Sequence, residues 1–195
     1  METIHIKDFI DSKHQQFSIH YYKIIHEKIA AFIRVDKDQL ILDNGVAPDQ
    51  FVYGDRVIVI LVSGKDLKAT LKIHYSPSEV ISIIPPKLIE SSSNPDFAVE
   101  SYFCEMANLI AGRLKASFMD MKYTVGISLP IGASCYDELV SSDKLVNNRV
   151  YAFTAFKMRE NTRFVVTLTI DDEGSGLNSF QYDEGYQEDV SDDFL

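Results

Sequence analysis

Glu105 and Asn108 lie three residues apart in the stretch Ser101-Tyr-Phe-Cys-Glu105-Met-Ala-Asn108-Leu-Ile-Ala-Gly112, whose apolar residues recur at helical spacing. At 100° per residue, Ser101, Glu105, Asn108 and Gly112 project at about 0°, 40°, −20° and 20° on a helical wheel. Val99, Phe103, Met106, Ile110 and Leu114 fall at about 140° to 220°, on the opposite side. One narrow stripe therefore presents a carboxylate beside a carboxamide, and a glycine one turn further allows close approach of another backbone. A carboxamide both donates and accepts hydrogen bonds and so can orient a water, whereas a carboxylate only accepts and pairs with a cation. Of the eleven glutamates, Glu105 alone has an asparagine three residues later. Two residues at this spacing are a weak motif in isolation, because a solvated helix face carries the same pattern.

Other chemistries find few residues to work with. The five histidines, His5, His14, His20, His26 and His74, have no i, i+3 or i, i+4 partner among themselves. Solvated or hydrogen-bonded imidazoles are expected, and no metal site. Cys104 and Cys135 have neither metal nor redox spacing and form no disulfide framework. Cys104 has no basic neighbour in its helix to lower its pKa, and reads as packing at the core edge. Glycine-rich phosphate loops, GxSxG and Walker patterns are absent, so no cofactor of the chain's own is expected.

The 195 residues hold 19 Lys and Arg against 29 Asp and Glu. That length supports one well-buried core. Nine of the acids lie between Asp171 and Leu195, where there is no Lys or Arg, and the first 170 residues hold 19 basic and 20 acidic groups. The body is thus close to neutral without a basic stripe, and its tail repels phosphates, so no nucleic acid partner is expected. Neither a membrane span nor the apolar core of a signal peptide appears, which predicts a cytoplasmic, reduced protein with no membrane association. Gly174-Ser-Gly176 and the dense acid read as a mobile tail, giving a domain over 1–171 and an acidic tail over 172–195.

To hold its stripe outward, the Glu105 helix needs something to bury its other side. Asn94-Pro95-Asp96 starts that helix, which runs to about Met119. A long helix is predicted from Asp8 to Phe32, with Phe9, Phe17, Tyr21, Ile24, Ile25 and Ile29 on one face, and two short strands after it. Arg56 to Ser63 is a buried β-branched strand, and Leu67 to Tyr75 alternates as a half-exposed one across the turn Ser63-Gly64-Lys65-Asp66. Ser76-Pro77-Ser78-Glu79 reads as a capping box opening a helix of about two turns, ended by Pro85-Pro86. Three more strands are expected over Tyr123–Ala133, Arg149–Met158 and Thr162–Ile170, the last two a hairpin around Glu160-Asn161. The order predicts an α+β fold, with long helices packed on a mainly antiparallel β-sheet.

Ser101, Glu105 and Asn108, with Pro130 following in Ile127-Ser128-Leu129-Pro130, resemble the site of the CheC/CheX/FliY phosphatase family of bacterial chemotaxis. That site reads Asp or Ser, three residues, Glu, two residues, Asn, and a Pro beyond the helix. The likeness spans roughly residues 8 to 171 and is greatest to the CheX branch, since the Glu-x-x-Asn pair occurs once. It implies hydrolysis of the phosphoaspartate of a phosphorylated CheY-like response regulator. By that resemblance Asn108 is catalytic, orienting the attacking water, and Glu105 docks the regulator's lysine. Ser101 and Gly112 would extend the partner surface, and Pro130 would shape the neighbouring loop. Mg²⁺ is expected on the regulator, with no cofactor on this chain. The spacing from Asn108 to Pro130, 21 intervening residues, and the acidic tail stand apart from the family pattern. The alternative reading is a non-catalytic adaptor for a receiver domain or flagellar-switch component. A homodimer is expected, through an exposed strand edge at Arg149–Met158 or Thr162–Ile170.

Overall fold

The computed structural model describes residues 15–42, 53–135, 149–159, 162–173 and 177. The predicted helical residues 8–14, the Glu160-Asn161 turn, the polar stretch 136–148 and residues 178–195 lie outside them. Among the described residues the chain forms α1 (Gln15–Ile33), β1 (Ile41–Leu42), β2 (Arg56–Gly64), β3 (Leu67–Tyr75), α2 (Pro77–Val80), α3 (Pro86–Ser91), α4 (Pro95–Asp120), β4 (Val125–Ile127), β5 (Ile131–Ser134), β6 (Arg149–Arg159) and β7 (Thr162–Asp172). The strands make one antiparallel sheet in the order β1-β6-β7-β3-β2-β4, with β5 also on β2. This is the expected α+β architecture. No helix of the described residues is long and apolar enough to cross a membrane.

The alternation of β-branched and polar residues sends one set of side chains to the helices. Ile58, Ile60 and Val62 of β2 lie opposite Ile73, Leu71 and Ala69 of β3, which lie opposite Val166, Leu168 and Ile170 of β7. All nine belong to the main core cluster. Helix α4 lays its apolar face on this patch. Phe103 stacks on Tyr75 at 4.2 Å between ring centroids and meets Phe164 edge-on at 5.9 Å. Helix α1 packs beside α4 through Phe17 on Phe118 (5.9 Å) and Phe32 on Tyr102 (4.6 Å).

Local chemistry sets the helix ends. Asn94 Oδ1 accepts the Asp96 amide at 3.0 Å, and Pro95 takes the first helical position. At the end of α1, the Val35 and Arg34 amides donate to the carbonyls of Ala30 (3.0 Å) and Ala31 (3.2 Å). This pair of bonds wraps the helix C-terminus and requires a left-handed residue, here Arg34 at φ 57°.

Three expectations need correction. Tyr123–Ala133 is two strands, because Val62 pairs with Ile127 whereas Val59 pairs with Ile131, leaving one extra residue on the outer strand. Ser128 fills the break: its amide donates to the Leu61 carbonyl at 2.9 Å and its hydroxyl accepts the Leu61 amide at 3.0 Å. Pro130, which lacks an N–H, sits in the bulge where none is needed. At Ser76, a helix starts after a proline as predicted, but the serine side chain makes no cap, and Glu79 instead accepts the Tyr53 hydroxyl at 2.6 Å. Strand β7 is no edge: β3 and β6 pair along both its sides, so Thr162–Ile170 cannot add a strand from another chain.

Past Ile170 the pairing continues, Asp171 with Lys68 and Asp172 with Leu67. The Tyr123 hydroxyl donates to buried Asp172 Oδ1 at 2.7 Å and accepts the Leu177 amide at 3.3 Å. Leu177 is itself buried, so packed structure reaches that residue.

Truncating Phe103, which joins α4 to both Tyr75 and Phe164, should lower stability by about 3–5 kcal/mol. Asn108→Ala on the outer face of the same helix should stay within about 0.5 kcal/mol. Urea denaturation of the two variants measures both.

Candidate functional site

Helix α4 separates its faces as the wheel predicts. Val99, Phe103, Met106, Ile110 and Leu114 are buried, while Ser101, Glu105, Asn108 and Gly112 are exposed. Residues three and four apart on a helix are surface neighbours, so the Glu105 carboxylate and the Asn108 carboxamide share one patch. The site stripe faces away from the core, between two flanks.

One flank is α1, which meets α4 through the Phe32–Tyr102 and Phe17–Phe118 pairs and through His20 Nε2 against Ser117 Oγ at 2.9 Å. The other flank is the β4–β5 segment. A methyl group built on Gly132 would lie 2.5 Å from Glu100 Cδ, so this strand runs directly beneath the Glu100 side chain. Glycine there admits the carboxylate. The bulge before it exposes Leu129 (83%) and Ile131 (65%), with half-buried Pro130 between them. The structure thus collects Ser101, Glu105, Asn108 and Gly112 on one helix face, and places Pro130 in the bulged segment packed along that helix.

Gly112 has open space where a side chain would begin, with no described residue beyond its own stretch of helix within 4 Å. Cys104 is half-buried beside the core, and burial, with the Glu100 carboxylate second, raises its thiol pKa. That holds it as the unreactive thiol. Tyr102 is pushed up to about 12 by burial, opposed by the Arg34 guanidinium. The described histidines have structural surroundings: His20 bonds Ser117, His26 Nε2 lies 3.0 Å from the Leu40 carbonyl, and buried His74 faces Cys135 Sγ at 3.9 Å. No cluster of three or more metal-ligating side chains occurs among the described residues. The stripe itself presents a carboxamide and a carboxylate.

Sequence reasoning missed the hydrophobic surroundings. Leu109 (44% exposed) follows Asn108, and Phe97 (65% exposed) lies one turn before Ser101. Exposed apolar side chains interspersed with polar groups occur at protein-docking surfaces. On the wheel Phe97 falls at about −40° and Leu109 at about 80°, so their outward position is open to the same reading that places Glu105 and Asn108.

No protein-family model and no curated protein matches this sequence. Solved structures do match its fold. A CheC-like superfamily protein from Shewanella sp. PV-4 is similar at TM-score 0.59 and 15% identity, over 83% of this chain and 99% of its own. Chemotaxis protein CheX from Vibrio vulnificus is similar at TM-score 0.56 and 12% identity, over 77% and 96%. A chain of the CheX–CheY–BeF₃–Mg²⁺ complex from Borrelia burgdorferi gives TM-score 0.53 and 12% identity, over 78% and 98%. The protein has the fold shared by CheC-like and CheX chemotaxis proteins.

Because Gly112 sits mid-helix over open space, Gly112→Ala should raise stability by about 0.5–1 kcal/mol through helix propensity alone. Thermal unfolding checks this. Destabilisation would mean that the position is not an open surface.

Proposed function

We propose that this chain docks a phosphorylated receiver domain of the CheY type on the exposed face of α4 and hydrolyses its aspartyl phosphate. The observation that carries the proposal is the pairing of Glu105 and Asn108 on an outward face of a helix whose fold is that of CheX and CheC-like proteins. One such fold relative was solved with CheY, BeF₃ and Mg²⁺, and beryllium trifluoride has the shape and charge of a phosphoryl group.

The chemistry asks little of the chain. An aspartyl phosphate is an activated acyl phosphate, and phosphoryl transfer depends on in-line positioning and electrostatic stabilisation more than on a strong base. Asn108 accepts a hydrogen bond from the attacking water through Oδ1 and donates to a phosphoryl oxygen through Nδ2. The water oxygen bonds to phosphorus as the bond to the aspartyl oxygen breaks. Inorganic phosphate leaves with the water's oxygen, and the carboxylate is regenerated. Glu105 pairs with the receiver's lysine and sets the register, with Ser101 and Gly112 extending the contact and Pro130 shaping its border. Mg²⁺ belongs to the receiver in this scheme, and the chain brings no cofactor. Of the two edges expected for a homodimer, that of β6 remains: among the described residues, β6 is covered on its outer side by β1 only at Phe156 and Lys157.

Phosphate release from a panel of phosphorylated receivers tests the reading. One receiver should be accelerated, and Asn108→Ala should slow that stimulated rate by at least about a hundredfold, the scale of losing one positioned polar group. An unchanged rate in the variant would reject Asn108. Glu105→Ala should chiefly raise KM for the receiver, since a lost docking pair acts on binding. Binding without acceleration would make the chain an adaptor.

A further inference from the structure

A groove of about 1040 Å³ runs alongside the upper half of the Glu105 stripe. Phe32 and Arg34 at the end of α1 form one wall, Leu88 of α3 and Phe97 of α4 form another, and Ser101 and Glu105 lie on its border. The groove and the candidate site therefore share two residues. Leu88 and Phe97 stand 45% and 65% exposed and both line the same groove, so their apolar surfaces lie together in one open recess.

Arg34 supplies a second, independent sign. It occupies the left-handed position that ends α1, at φ 57°, where glycine is the residue of least strain. Here it sets a guanidinium at the groove wall, which Glu105 also lines. The groove is thus mainly apolar, interrupted by serines, with a cation and an anion among its lining residues.

We propose that this groove receives an apolar side chain flanked by a carboxylate from the surface of the same receiver domain whose phosphoaspartate meets Asn108. The inference rests on the receiver reading above and adds a second anchor that selects among receivers. Charge complementarity favours this occupant: a receiver that places its lysine on Glu105 can place a neighbouring carboxylate on Arg34, with its apolar residue between Leu88 and Phe97. Rim charges of this sort set partner choice and encounter rate, while a buried apolar anchor slows dissociation.

Calorimetric titration of the full chain with receiver domains carrying beryllium trifluoride and Mg²⁺ tests it. For the receiver that binds, Phe97→Asp should raise Kd at least tenfold, and Lys65→Ala on the distant β2–β3 turn should leave Kd unchanged. Arg34→Gly should raise Kd and weaken its dependence on salt, while holding or raising the melting temperature because glycine relieves the left-handed position. A purely structural role for Arg34 would not separate the two readouts. Unchanged Kd in both groove variants would overturn the groove and leave the receiver reading standing. Failure of the unaltered chain to bind any receiver would overturn both. A lower sedimentation mass for Phe97→Asp with Kd unchanged would give the groove to a second copy of this chain and overturn the proposal.

Discussion

The burial of one face of α4 against the sheet is the constraint on which the rest of the structure depends. Phe103 is held between Tyr75 of β3 and Phe164 of β7, and Val99, Met106, Ile110 and Leu114 extend the same contact along the helix. A helix has one rotational setting that buries such a stripe, so the direction of Glu105 and Asn108 follows from the packing of residues that never meet a partner. The core thus fixes the direction of the stripe on α4. This suits a reaction in which the chain contributes placement and the partner contributes activated phosphate and metal.

The flanks turn that exposed face into a bounded surface. Helix α1 closes one side through aromatic pairs with α4, and the bulged β4–β5 segment closes the other, running beneath Glu100 at Gly132. Both flanks display apolar side chains at their margins: Phe97 and Leu88 toward the α1 side, and Leu129 and Ile131 on the bulge. The exposed apolar side chains can be buried by a partner while the polar pair specifies geometry.

Much of this was legible in the sequence because the signals were periodic. The β2–β3 hairpin, the cap at Asn94 and the two faces of α4 follow from alternation, a side-chain acceptor and a 3.6-residue repeat. What was not legible depended on partners distant in the chain. The split of Tyr123–Ala133 arises from Ser128 bonding both backbone groups of Leu61, 67 residues away. The capping box at Ser76 is overridden because Tyr53 takes Glu79. Strand β7 looks like a free edge until β3 and β6 are seen on either side, and the groove exists only where α1, α3 and α4 converge. Arg34 in particular carries no local signal, since its left-handed backbone is set by how α1 ends.

Methyl NMR on the full chain, titrated with a receiver domain in its beryllium trifluoride and Mg²⁺ form, tests the central claim that the outward face of α4 is the docking surface. The account predicts shifts in the methyls of Leu109, next to Asn108 on α4, and of Leu129 and Ile131 on the bulged segment packed along that helix, and none at Ile41, which is exposed at the far edge of the sheet. Shifts at Ile41 with silence around Asn108 would place the partner on the sheet edge and contradict the account.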